Sequence, residues 1–228
     1  MSKNLSENII KQLNKEVSNL NSEQIIRWAY DKFKPNLFVL SSFGADSAAM
    51  FDLLEKAGIN IPVLTIDTGF WFEETHLFKN EMIKRYSLEV STYSPAKEDT
   101  EEIKKDRLWE KDIDEYHEIT RIIPLNRAIK ELDIKALISG VRGGQTENRS
   151  KLNTVGIGKA NELRIHPILK WSEEDVSNLF EKENLPRHLL YSQGYDSVGD
   201  YTTTTPGAGR HGRSAMGTCL ECGIHLQK

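Results

Sequence analysis

At 228 residues, with 38% hydrophobic content, the chain can bury one substantial core, and nothing in its composition calls for a second. A formal net charge of -4 excludes a protein built to neutralise many nucleic-acid phosphates, so an anionic ligand must be met by a local cluster of cations. No apolar run approaches the roughly 20 residues of a membrane span, and the polar start Met-Ser-Lys-Asn-Leu-Ser-Glu-Asn carries no secretory signal core, so the expected location is the cytoplasm.

Helical spacing of apolar residues runs from Ile9 to Leu20, and a second helix follows from a capping box of Asn21 and Gln24 ahead of Ile25, Ile26, Trp28 and Ala29. Leu37 to Leu40 is an apolar run that ends in Ser-Ser-Phe-Gly, as a buried strand entering a tight turn does. Asp46 to Lys56 continues as a helix closed by Gly58. The unit repeats, with strands at Pro62 to Ile66 and Leu88 to Tyr93 around a helix from Glu73 to Tyr86.

Beyond it come a highly charged stretch from Lys97 to Glu118, a helix from Ile123 to Leu132 and a strand from Ile134 to Val141. Ile165 to Ile168 reads as an edge strand, since Pro167 cannot donate to a ladder, and Ser172 with Asp175 caps a last helix. From Tyr195 the composition turns to Gly, Thr and Ser without periodicity. The pattern predicts an α/β fold with a doubly wound, mostly parallel sheet. Its parts are N-terminal helices over residues 1–34, a nucleotide-binding unit over 35–194 and a flexible tail over 195–228.

Two places carry chemistry. Ser41-Ser42-Phe43-Gly44-Ala45-Asp46-Ser47 lies between a buried strand and a helix N-terminus, where backbone N–H groups and the helix dipole favour an anion. A plain helix cap, with Asp46 or Ser47 satisfying backbone groups, is the alternative. No lysine follows the glycine, so this is not the kinase-type loop. It resembles the S-x-G-x-D-S loop of the adenine-nucleotide alpha-hydrolase superfamily.

The second place is the tail, where the two cysteines, Cys219 and Cys222, form a C-x-x-C beside Arg210, His211, Arg213 and His225. A thiolate nucleophile needs such cations to lower its pKa. An incidental exposed thiol and half of a zinc site are the other readings, but no H-x₃₋₅-H follows to complete the metal set.

Six segments in order resemble the assimilatory adenylyl-sulfate and phosphoadenylyl-sulfate reductases. They are the loop above, Asp67-Thr-Gly-Phe-Trp-Phe-Glu-Glu-Thr75, Pro124-Leu-Asn-Arg-Ala128, Ser139-Gly-Val-Arg142 with Arg149, Gly194-Tyr-Asp-Ser-Val-Gly-Asp200, and Glu221-Cys-Gly-Ile-His225. The resemblance implies that the Cys222 thiolate attacks the sulfur of a nucleotide-activated sulfate, and that reduced thioredoxin or glutaredoxin then frees sulfite. It implies substrate contacts from Ser41, Ser42, Gly44, Arg121, Gly140, Arg142, Arg149, Arg210 and Arg213. Family members are often dimeric, which makes a homodimer an expectation that the residues themselves do not address.

The adenylyl-sulfate branch carries a four-iron cluster on two cysteine pairs; here those positions hold Tyr116 and His117, then Asp200 and Thr203. No iron–sulfur cluster and no other bound cofactor or metal is therefore expected, and the substrate with a 3′-phosphate is favoured over adenylyl sulfate. Thr205 departs from a usual arginine, and Gly143 from a common second basic residue. Cys219 is the candidate resolving thiol. An ATP-consuming enzyme of the same superfamily, such as a sulfate adenylyltransferase, and a non-catalytic redox sensor are the competing functions.

Overall fold

The structure, a computed structural model, describes residues 3–213 together with Ile224 and Gln227, with side chains from residue 7 onward. Helix α1 spans Lys3–Val17 and α2 Ser22–Phe33, the latter opened by the expected capping box: the Gln24 N–H donates to Asn21 Oδ1 and the Asn21 N–H to Gln24 Oε1, both at 2.9 Å. Helix α1 stops at Val17 and not at Leu20, and the chain turns with the Leu20 N–H on the Val17 carbonyl at 3.1 Å before the new cap at Asn21.

Strand β1 (Leu37–Leu40) leads into α3 (Ser47–Ala57), which ends on left-handed Gly58 at φ 63°, a conformation that costs glycine nothing. Then come β2 (Val63–Ile66), α4 (Glu73–Tyr86) and β3 (Val90–Tyr93). The charged stretch folds as short helices α5 (Lys97–Asp106), α6 (Leu108–Lys111) and α7 (Ile113–His117). A π-helical turn over Glu118–Ile122 joins α7 to α8 (Ile123–Glu131). The chain continues through β4 (Ala136–Ile138), α9 (Glu147–Ser150), β5 (Val155–Ile157), β6 (Leu163–Ile165) and α10 (Glu173–Lys182). Ser172 and Asp175 cap α10 as their spacing predicts.

The six strands form one sheet in the order β3-β2-β1-β4-β6-β5, parallel except for β5. Alternate residues of β1 point to opposite faces: Leu37 and Val39 join the core under α1, α2 and α3, whereas Phe38 and Leu40 join Leu125 and Ala128 of α8 on the other face. The doubly wound expectation therefore holds, with helices on both faces.

The edge-strand expectation does not. The strand is Leu163–Ile165, ends before Pro167 and lies between β4 and β5. The edge is taken by β5, three residues with two of them apolar, too short to register as a periodic pattern. The strand predicted from Ile134 to Val141 also shortens to Ala136–Ile138, because the Ile134 N–H closes the end of α8 on Ile129 and the chain leaves the sheet at Ser139. Among the described residues no helix is long and apolar enough to cross a membrane.

Candidate functional site

From β1 the connections run through β2 and β3 to one side, while β4 lies on the other, so the strand order reverses between β1 and β4. In open α/β sheets a crevice opens beyond the carboxyl ends at such a point. Here a cavity of about 550 Å³ lies there, a size suited to a nucleotide-sized ligand, and the segments following β1, β2 and β4 all line it.

The wall after β1 is the Ser41–Ser47 loop. Phe43 turns its backbone to φ 49° and its ring into the core, 5.5 Å from Phe51, while the Ser41 hydroxyl accepts from the Phe43 N–H at 3.1 Å. The anchored ring holds Ser41, Ser42, Gly44 and Ser47 on the cavity side. Asp46 makes no side-chain cap on α3, contrary to the plain-cap reading; its carboxylate instead meets the Arg142 guanidinium at 2.8 Å.

After β4, Ser139, Gly140 and Arg142 line the opposite wall. The Gln145 side-chain oxygen accepts from the Arg142 N–H at 3.2 Å and from the Arg149 guanidinium, so one amide fixes both cationic segments. Arg142 and Arg149 are each 6% exposed overall. Behind them His166 is fully buried, its Nδ1 3.0 Å from the Ser139 hydroxyl; burial, then Arg164 and Arg149, push its pKa down to about 3, so it is neutral.

Residues 195–213 close the third side. A bridge pairs Trp71 with Asp200, and the Tyr201 N–H reaches the Phe70 carbonyl at 2.9 Å, fastening this segment to the loop after β2. The Asp196 carboxylate accepts from the Gly209 N–H, and Arg213 donates to the Val198 carbonyl at 2.8 Å. Gly199 leaves room for the Arg213 guanidinium, since a Cβ there would stand 2.3 Å from its carbon and displace the arginine from this position. Arg210 and Arg213 both reach the cavity, as does Ile224.

Arg121 comes from the π-helical turn, a feature often found at functional sites, and it too lines the cavity. It pairs with the buried Asp200 carboxylate, which also accepts from Thr68 and Tyr116. His117, beside it, is pushed down to about 3 by burial and by Arg121. Every predicted binding residue within the described set, from Ser41 to Arg213, thus converges on one cavity. Cys219 and Cys222 lie outside the described residues, as do all of residues 214–223 in the tail predicted to be flexible.

Asp200, Tyr116 and Thr68 had no separate reading as partners of a site arginine. The one sequence signal was a carboxylate set among glycine and threonines with no neighbouring cation, which on burial must find a distant one.

Comparison with known proteins agrees with this geometry. The family model described as the phosphoadenosine phosphosulfate reductase domain matches residues 36–206. The phosphoadenosine 5′-phosphosulfate reductase of Xylella fastidiosa (strain 9a5c) is 33% identical over 223 residues, covering 95% of this chain and 94% of its own. That of Synechocystis sp. is 34% identical over 235 residues, covering 99% and 94%.

The crystal structure of phosphoadenylyl-sulfate reductase from Candida auris, a phosphate complex, superposes with a TM-score of 0.76 at 27% identity over 90% of this chain and 98% of that one. A Candida glabrata FMN adenylyltransferase shares the fold, with a TM-score of 0.64 at 19% identity over 88% of this chain and 67% of that one. With a model match over most of its length and full-length relatives above 30% identity, the chain belongs to the phosphoadenosine phosphosulfate reductase family.

Proposed function

We propose that this protein reduces phosphoadenosine phosphosulfate to sulfite and adenosine 3′,5′-bisphosphate in sulfate assimilation, with Cys222 as the sulfuryl acceptor. The observation that carries the reading is the position of Ile224. It lines the arginine-ringed cavity and follows Cys222 by two residues, a span of at most about 7 Å of chain.

The Ser41, Ser42 and Gly44 loop, at the positive end of α3, receives the 5′-side phosphate, while Arg142, Arg149 and the backbone at Gly140 hold the rest of the nucleotide. Arg121, Arg210 and Arg213 bring positive charge to the sulfonate and to the attacking sulfur. The cations lower the thiol pKa and stabilise charge as it shifts to the leaving phosphate.

The Cys222 thiolate forms a bond to the sulfate sulfur as the bond from that sulfur to the bridging phosphate oxygen breaks. The electron pair of that bond leaves with adenosine 3′,5′-bisphosphate, and S-sulfocysteine remains. A second thiolate then attacks the Cys222 sulfur and expels sulfite with its electron pair, leaving a disulfide. Cys219 supplies that thiolate in this reading, and thioredoxin or glutaredoxin reduces the Cys219–Cys222 disulfide in turn. Release of pyrophosphate from ATP would give Glu221-Cys-Gly-Ile-His225 no task.

The test mixes reduced protein with phosphoadenylyl sulfate or adenylyl sulfate, without thioredoxin, and weighs the intact chain. The expected result is a gain of one sulfonate from the 3′-phosphorylated nucleotide and none in Cys222→Ser; no gain from either nucleotide overturns the proposal. Cys219→Ser is expected to retain the mass gain and to turn over more slowly with thioredoxin, and turnover at the parent rate removes Cys219 from the scheme.

A further inference from the structure

Asp200 is a carboxylate with 1% of its side chain exposed, yet it stands at the wall of the cavity. Its Oδ1 accepts from the Thr68 hydroxyl at 2.7 Å. Its Oδ2 accepts from the Tyr116 hydroxyl at 2.6 Å and is paired with the Arg121 guanidinium. Three donors from three separate elements, the loop after β2, helix α7 and the π-helical turn, meet on one side chain carried by a fourth segment.

The direction of each bond is settled by chemistry. Burial and the neighbouring carboxylate push the Tyr116 pKa far up, so the phenol keeps its proton and donates it to Asp200. The same ring lies 5.4 Å from the Arg121 guanidinium, which is therefore gripped by charge on one side and by an aromatic face on another.

An ion pair this deep is a poor source of stability, because the cost of removing both charges from water roughly offsets their attraction. In a pocket for an anion it is also an electrostatic handicap, since the carboxylate cancels part of the field of the arginine. What the pair does supply is position. Arginine loses much rotamer freedom when it is immobilised, and here that ordering is complete before substrate arrives.

We infer that Asp200 is a positioning residue for sulfuryl transfer, holding Arg121 through the Thr68 and Tyr116 bonds so that its guanidinium meets the sulfonate in one orientation. The inference rests on the reading of Cys222 as sulfuryl acceptor. It differs in sign from the electrostatic expectation: removal of a negative charge from an anion site should by itself tighten binding and speed the reaction, whereas loss of position slows transfer and leaves binding of the sulfonate-free product in place.

The experiment measures single-turnover sulfonation of Cys222 by intact mass and the affinity for adenosine 3′,5′-bisphosphate, which lacks the sulfonate, in wild type, Asp200→Asn, Arg121→Lys and the double variant. Asp200→Asn, of the same shape, is expected to transfer about 10- to 100-fold more slowly, the scale of a misplaced catalytic group, with product affinity within about twofold of wild type or tighter. In the Arg121→Lys background it is expected to add no further loss, because both changes remove one arrangement.

Tyr116→Phe deletes one donor and no charge, so it tests the same network if Asp200→Asn folds poorly; transfer about threefold or more slower, at an unfolding midpoint close to wild type, is expected. Additive losses in the double variant, or Asp200→Asn transfer at or above the wild-type rate while wild type is sulfonated, overturn this inference alone. A wild-type protein that gains no sulfonate from either nucleotide overturns the functional reading and this inference together.

Discussion

The Asp46 carboxylate meets the Arg142 guanidinium at 2.8 Å across the crevice between the ends of β1 and β4, joining the loop in front of α3 to the segment that leaves the neighbouring strand. Arg142 thereby stands beside the loop as a nearly buried, pre-ordered fork of donors. Arg142→Ala is expected to weaken binding of adenosine 3′,5′-bisphosphate by about 10- to 100-fold, as loss of a charge-assisted contact does, and Arg142→Lys to restore only part of it. Titration calorimetry on the three proteins checks both.

Phe43 is the residue that ties the loop to the core, fully buried at φ 49°. Phe43→Ala removes the ring that packs on Phe51 and is expected to cost about 3–5 kcal/mol in urea unfolding. Nucleotide affinity should fall in the fraction that remains folded, because the anchor that holds Ser42 and Gly44 in place has gone.

Glu162 and Arg164 form an ion pair with side chains 1% and 2% exposed, and in the described structure Arg164 Nη1 and Glu162 Oε2 have no partner. A pair so poorly satisfied contributes little, whereas half of it alone is costly. Arg164→Met is expected to destabilise by about 3–5 kcal/mol, and Glu162→Met with Arg164→Met to recover most of that loss. Urea midpoints of the single and double variants decide the point.

His166 gives a pH dependence of definite sign. Its folded pKa of about 3 lies below the ordinary 6.5, so as pH falls the unfolded chain takes up the proton first. The stability it confers is complete above about pH 6.5 and is lost toward pH 3, at up to about 1.4 kcal/mol per pH unit. His117, at about 3, and His188, at about 4, act in the same direction. Unfolding midpoints should therefore drop steeply from pH 6.5 to 4 in wild type and less steeply in His166→Asn, which keeps a polar partner for Ser139; parallel curves would remove His166 from the account.

Local rules carried over into the structure wherever the interaction itself is local. The capping boxes at Asn21 and Ser172, the left-handed close at Gly58 and the buried run Leu37–Leu40 each depend on residues a few positions apart, and all were legible. The loop before α3 was legible as an anion site because an anion at a helix N-terminus needs a particular local backbone, whereas the arginines that line the cavity were picked out by the family resemblance and not by any local rule.

The strand β5 was not legible. Three residues carry no period, and Val155 is held there by Asn14, 141 positions away, whose side chain accepts from the Val155 N–H at 3.0 Å and donates to its carbonyl. The antiparallel pairing of β5 along β6 is what places β6 inside the sheet.

By itself, then, the sequence determined the alternation of elements, the candidate anion loop and the C-x-x-C of Cys219 and Cys222, and its resemblance to a family named the arginines. Only the tertiary structure decided which groups face one another: Asp46 with Arg142, Gln145 with Arg149, and Asp200 with Arg121, Tyr116 and Thr68. The physical reason is that a buried charge must find its counter-charge wherever the topology brings one, and the reversal of strand order between β1 and β4 sets that meeting place.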